Sequence, residues 1–388
     1  MHNLERDTAV PPLLATYAPY PFEVESGARD CIVDRAGHRW LDFYGGHCVA
    51  STGHCHPAVA AAITTQAHRL IFYSAAADLP VRREAAAALV QFAANDMATV
   101  FFCNSGAEAN ENALKLATKL TGRSKFVAFR GAFHGRTLLA LSVTDSAKLH
   151  QGYESLLAAV MFLPFADNAA LAAADFSDAA GVIVEPIQSM AGIKTAATSW
   201  FTALREKCMQ SGTLLIFDEV QTGIGRLGAP FAANLYSITP DFITCAKGMA
   251  SGVPMGGLLM RAEIAAELKP GDLGSTFGGG PLACAALLAT LKVILDEQLM
   301  QHATNCAQRI RAAAGGVVRE VRGEGLLLGL DCGLAAKAVK AHLFNSHILV
   351  GGSDDPQVLR LMPPLDVSDA AVDTLLDALS AFPAEAAA

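Results

Sequence analysis

Four short apolar runs limit what this chain can fold into more than any other feature. They are Phe126–Phe129, Gly181–Glu185, Leu214–Phe217 and Phe242–Cys245. Each is too short for a helix and too uniformly apolar for a strand with one wet face, so each reads as a strand buried on both sides. Stretches with helical spacing, such as Ala113–Leu120 and Trp200–Met209, lie before or between them. Strands alternating with helices imply an α/β fold, with a mostly parallel central sheet covered on both faces.

The pattern changes near the C-terminus. Val317–Asp331 reads as two strands around Gly323 and Gly325, paired antiparallel. Helical segments at Leu287–Leu295 and Asp369–Leu379 flank it. The expected division is a large domain over 46–281, and a smaller α+β domain built from 1–45 and 282–388. In such folds chemistry sits on loops beyond the carboxyl ends of the strands.

Composition narrows the function classes. Hydrophobic residues make up 52% of the chain and charged residues 17%, which supplies a large core and argues against disorder. The net charge of −8, with no Lys/Arg cluster, excludes a nucleic-acid footprint. None of the nine cysteines forms a C-x-x-C pair, so a disulfide framework or four-cysteine zinc site is not expected, and a reducing cytoplasm fits. No apolar run reaches the ~18 residues of a membrane span. Met1–Val10 is too polar to read as a signal peptide. His54-Cys55-His56 invites a metal, but a helix starting at Pro57 accounts for it better, and no metal is expected.

Several strand ends carry unusual residues. Asn104-Ser105-Gly106-Ala107-Glu108 follows the apolar run Val100-Phe101-Phe102 and opens a helix. Small residues at a helix start suit an anion, yet Ser105 and Glu108 also spell a capping box. Phe129–Thr137 is a glycine-rich loop in which Phe133 can stack on a planar ring and Arg136 can fork onto a carboxylate; the alternative is a solvated surface loop. Leu214–Phe217 runs into Asp218 and Glu219. An acid at the end of a buried strand needs a cationic partner, such as a protonated heteroaromatic nitrogen, unless it caps a helix. Phe242–Cys245 leads to Lys247, whose apolar flanks favour a neutral, nucleophilic amine. Gly274–Pro281 is a flexible loop with two hydroxyls, at Ser275 and Thr276.

Taken together, NSGAEAN, FHGRT, EPIQ, DEVQTGIGR, the strand-end lysine and STFGG resemble the class III, ornithine/acetylornithine-type aminotransferases of the pyridoxal-phosphate (PLP) fold type I. The likeness runs from about Tyr17 to Pro364 and includes YAPYPFEV and LDFYGGH…GHCHP. The resemblance implies that Lys247 carries PLP as a Schiff base and that Asp218 pairs with the pyridine nitrogen. It places Val220 on one ring face, Phe133 near the other, and Gln221 at the ring hydroxyl. Ser105, Gly106 and Ala107 would hold the phosphate, with Thr276 reaching it from a neighbouring subunit, so the active site needs a homodimer, with a dimer of dimers as the larger alternative. Glu185 resembles the acid that orients this group. Ping-pong transamination with 2-oxoglutarate/glutamate follows.

For the substrate, Arg136 resembles the arginine that binds the α-carboxylate of an acylated ornithine, and Ser275 a further contact to it. Arg360 resembles the arginine that grips glutamate. Two departures stand out. The family's EPIQGE has Met190 in place of its second glutamate, the acid that normally pairs with that arginine. His47 stands where ornithine enzymes have tyrosine and acetylornithine enzymes an apolar residue, as in relatives acting on carrier-linked lysine or succinylornithine. Gly280 also departs from the usual GGNP. The expected activity is ω-transamination of an N-acylated basic amino acid. Free ornithine, lysine, 4-aminobutyrate or a polyamine is the alternative donor, and a racemase or aminomutase the alternative class.

Overall fold

A computed structural model describes residues 13–383 apart from Ala15. An antiparallel meander comes first: β1 (Val24–Ala28), β2 (Cys31–Asp34) and β3 (Arg39–Asp42). The central sheet contains β4 (Met97–Cys103), β5 (Lys125–Phe129), β6 (Val160–Leu163), β7 (Ala179–Val184), β8 (Leu214–Asp218), β9 (Phe242–Cys245) and β10 (Gly256–Arg261). Their order is β4-β10-β9-β8-β7-β5-β6. Strands β5 to β9 pair in parallel, while β10 runs antiparallel to β9 and β4. The carboxyl ends of β4, β5, β7, β8 and β9 therefore share one edge.

Towards the C-terminus lie β11 (Glu320–Glu324), β12 (Leu327–Asp331), β13 (Ile348–Leu349) and β14 (Val358–Leu361). Strands β11, β12 and β14 form an antiparallel sheet, and β13 adds to β3 in parallel. The β11–β12 hairpin turns at Gly325 and Leu326, and Gly323 stays within β11 at φ 99°.

The buried strands keep a two-residue period although both faces are apolar. Phe126, Ala128, Ile183 and Ile216 pack on one face with Ala113, Leu114 and Ala117 of the helix Gly106–Thr121. Val127, Phe129, Val182, Val184, Leu215 and Phe217 face the other side, with Trp200, Phe201 and Leu204 of the helix Thr198–Ser211. Small residues bring the first helix close to the sheet: a Cβ at Gly181 would sit 3.2 Å from Ala117 Cβ. Each fully buried Leu, Ile, Val or Phe here contributes about 1.5–3 kcal/mol, and the layer fixes the helix's start over the sheet edge. The helix Pro281–Asp296 packs along the helices Pro57–Arg69 and Pro80–Ala93.

Candidate active site

A cavity of about 660 Å³ opens at the carboxyl edge of the central sheet. Its floor is built by strand ends. Glu185 follows β7, Asp218 ends β8, and Lys247 comes just after β9. The helix Gly106–Thr121 points its N-terminus in from β4, and the loop after β5 brings Phe133 and Arg136. Val220, Gln221, His47, Met190 and Arg360 complete the part of the wall that the sequence picked out. Ser275 and Thr276 do not line the cavity of their own chain. Ser275 Oγ accepts from Asn104 Nδ2 at 3.3 Å and from the Gly278 N–H at 2.9 Å, and Thr276 is exposed.

The helix start shows both features that the sequence left open. Ser105 Oγ accepts from the Glu108 N–H at 3.2 Å, so it is a true cap. Glu108 Oε2 reaches the Asn104 N–H at 2.8 Å, one residue earlier than a standard box. The first N–H groups of the helix, at Gly106 and Ala107, have no acceptor within the helix and lie on the cavity wall. Gly106 is required by space: a Cβ there would fall 2.8 Å from both Val220 methyls. The Val220 methyls and the positive helix end thus lie side by side on the cavity wall.

Asp218 is 4% exposed and carries three donors. Asn110 Nδ2 and His134 Nδ1 each lie 2.7 Å from Oδ2, and the Val220 N–H lies 3.1 Å from Oδ1. Glu185 Oε1 accepts from the Phe133 N–H at 2.8 Å, fixing the loop that carries Phe133. Burial pushes the Glu185 carboxyl up to about 7, against the pull of nearby His134. Burial also pushes the Lys247 amine below the ordinary lysine value, opposed by Cys48, Asp218 and Glu185 and reinforced by Arg360. Lys247 sits at φ 45°, a left-handed conformation costly for a side-chain-bearing residue.

The outer wall is cationic. Arg136 is exposed to the cavity, and Arg360 is 3% exposed. Arg360 donates from Nε to Gly352 O at 2.5 Å and from an Nη to Ser189 Oγ at 2.9 Å. Burial lowers its pKa. Met190 stands on the cavity wall, and its carbonyl accepts from the Asp354 N–H at 2.8 Å. His47 lies in an unusual turn: Gly45, Gly46, His47 and Cys48 all have positive φ, at 59°, 55°, 65° and 68°. Asp42 Oδ1 holds the turn's entry by accepting from the Tyr44 and Gly45 N–H groups. Tyr44 OH lies 2.8 Å from His47 Nε2. Burial lowers the His47 pKa, with Lys247 and Arg360 adding to the shift.

His134 and Asn110, which hold Asp218, are site residues that the sequence reading did not single out. Asn110 lies four positions after Gly106, on the same helix face, and that spacing was the available signal. The two histidines of His54-Cys55-His56 turn apart. His54 pairs with Asp42, while His56 pairs with Glu297 and accepts from the Ala58 N–H at the start of the helix beginning with Pro57.

The donor set fits pyridoxal phosphate. It offers a half-buried amine of lowered pKa, an acid held at the strand end, and a helix N-terminus that Gly106 brings close against Val220. Comparison with known proteins agrees. Residues 15–382 match the family described as aminotransferase class-III. An acetylornithine aminotransferase of Methanopyrus kandleri is 42% identical over 94% of this chain and 96% of its own. The ornithine aminotransferase of Toxoplasma gondii superposes with a TM-score of 0.88 at 29% identity, over 95% of this chain and 93% of that one. An amine transaminase from an uncultivated Pseudomonas species, solved in its PLP-bound form, gives a TM-score of 0.86 at 28% identity, over 98% and 99%.

Proposed function

Because this chain belongs to the class III aminotransferases and takes pyridoxal phosphate as its cofactor, we propose that it moves the ω-amino group of an N-acylated basic amino acid, N-acetylornithine or a close analogue, to 2-oxoglutarate. The charge distribution of the cavity carries this reading. Among the described residues lining it, Glu185 and Asp218 are the only acids, and both lie at the floor. The mouth holds Arg136, Arg360 and His47. A substrate carboxylate meets guanidinium groups there, whereas a free α-ammonium meets no acid among the described lining residues of this chain. An acylated nitrogen carries no charge and needs none. Free ornithine, lysine and polyamines are disfavoured on the same ground. The acetylornithine aminotransferases among the relatives point the same way.

Each residue has a task in this reading. Lys247 Nζ holds the cofactor covalently, and Asp218 keeps its ring nitrogen protonated. Val220 and Phe133 flank the ring, Gln221 meets its hydroxyl, and Ser105, Gly106 and Ala107 hold its phosphate. Glu185 orients the Phe133 loop through its bond to the Phe133 N–H. When bound, pyridoxal phosphate supplies an electrophilic carbon and a ring that takes up the electron pair of a broken C–H bond. Freed from its bond to the cofactor, Lys247 Nζ would be the base that takes the proton from the substrate carbon and the acid that returns it across the intervening nitrogen. Burial lowers the pKa of this amine, which favours its neutral, proton-accepting form relative to an exposed lysine. Arg136 orients the acylated donor through its carboxylate, with Ser275, which like Thr276 lies off its own chain's cavity, as a further contact across the dimer. Arg360 orients 2-oxoglutarate, which gives the two substrates of a ping-pong cycle one site. Met190 and His47 tune this choice.

The reading includes a cytoplasmic setting and a homodimer, in which Thr276, exposed and away from the cavity of its own chain, would reach the phosphate held by the other subunit. Exposed Ile71, Tyr73 and Phe277 beside that loop, with Phe277 packed on Phe72, suit such an interface. The division into a large domain over 46–281 and a small domain from 1–45 and 282–388 is retained as part of this proposal. The test is to reduce the loaded enzyme with borohydride and map the modified peptide. Modification at Lys247, lost in Lys247→Ala, supports the assignment; modification elsewhere refutes it.

A further inference from the structure

Asp218 is held by a chain of hydrogen bonds that starts on the neighbouring strand. Thr244 is its register partner on β9, so both side chains stand on the same face. The Thr244 hydroxyl donates to Asn110 Oδ1 at 2.6 Å. The amide nitrogen of Asn110 then donates both of its protons, to Asp218 Oδ2 and to His134 O, each at 2.7 Å. Reversing the amide would set its oxygen against two acceptors, so Asp218 Oδ2 and His134 O dictate which way Asn110 points, and the Thr244 hydroxyl holds the amide there by donating to its oxygen. His134 Nδ1 takes the second position on the same Oδ2 at 2.7 Å, which leaves His134 Nε2 buried without a partner. Thr244, Asn110, His134 and Asp218 are all buried.

A carboxylate oxygen has two lone-pair positions. Both on Oδ2 are filled by Asn110 and His134. Oδ1 has one filled, by the Val220 N–H at 3.1 Å. We propose that Thr244 and Asn110 are positioning residues that make Oδ1 the oxygen of Asp218 presented to the cofactor ring nitrogen, with Oδ2 reserved for the protein. This rests on the reading of Asp218 given above. It assigns a role to a threonine and a mid-helix asparagine that need not touch either substrate.

The test uses the loaded enzyme and four variants. Thr244→Val removes the hydroxyl at nearly constant shape, Thr244→Ser restores it, Asn110→Ala removes the donor, and Asp218→Asn tests the underlying reading. Three quantities are measured: the urea midpoint, the PLP dissociation constant, and the pH at which the visible absorbance of the holoenzyme titrates. Thr244→Val and Asn110→Ala are expected to weaken PLP binding roughly tenfold to hundredfold, the scale of a lost bond to a charged group, and to shift the titration. Thr244→Ser should recover most of both. A merely structural role would move only the urea midpoint. Unchanged PLP affinity and titration in Thr244→Val and Asn110→Ala, while Asp218→Asn alters them, overturns the relay and spares Asp218. No change in Asp218→Asn overturns the reading beneath it as well.

Discussion

A glutamate in place of Met190 would supply Arg360 with an acid. Arg360 now donates to the Ser189 hydroxyl and the Gly352 carbonyl, and to no carboxylate among the described residues. Residue 190 is within reach, because its carbonyl ties to Asp354 in the same loop that carries Gly352. A buried bond between a guanidinium and a carboxylate contributes about 1.5–3 kcal/mol. 2-Oxoglutarate would have to displace that internal acid, so its KM should rise roughly tenfold to hundredfold in Met190→Glu. The donor half-reaction, in which Arg136 holds the carboxylate, should change much less, and the ratio of α- to ω-amine turnover should shift. Stopped-flow measurement of the two half-reactions separates these effects, with Met190→Gln as an uncharged control of equal size. A KM for 2-oxoglutarate within twofold of the wild type, in a folded and PLP-loaded variant, refutes the reasoning.

Other outcomes follow from local geometry. Gly106→Ala should weaken PLP binding by at least tenfold, because its Cβ meets the Val220 methyls at 2.8 Å. Adding Val220→Ala should recover part of that loss in a double-mutant cycle, and simple additivity would count against the contact. Glu185 and Glu219 are both raised from 4.5 to about 7, chiefly by burial. The fold thus binds their protons more tightly than the unfolded chain does, and their contribution to stability falls as pH rises from about 4.5 to about 7. Urea denaturation of the apoprotein should show a shallower decline over that range in Glu185→Gln; an identical slope would mean that Glu185 ionises normally.

Much of the sheet was legible because β5, β7, β8 and β9 are buried on both faces and so appear as unbroken apolar runs. Strand β10 was not, since it opens with Gly256-Gly257 and follows a loop of turn-forming residues. Strands β1 and β3 are short and partly exposed, and their pairing with β2 and β13 comes from tertiary packing that no local pattern encodes. In the site, residues at strand ends were readable from the cost of placing a charge there. Asn110 was not, because a polar residue in the middle of a helix ordinarily faces water, and only the approach of β8 and β9 turns it inward. His134 was hidden by its neighbours: Phe133 and Arg136 face the cavity while the imidazole turns to Asp218.

The choice of donor is tested most directly by mixing the PLP-loaded enzyme, without 2-oxoglutarate, with one amine at a time and following loss of the visible cofactor band. The set is N-acetylornithine, N-succinylornithine, ornithine, lysine, 4-aminobutyrate and a polyamine. A cavity with cations at its mouth and acids only at its floor should give fastest bleaching with an acylated donor, by roughly tenfold or more over free ornithine, with colour restored by 2-oxoglutarate. Faster bleaching by a free diamine, or turnover that leaves the cofactor band intact, would contradict it.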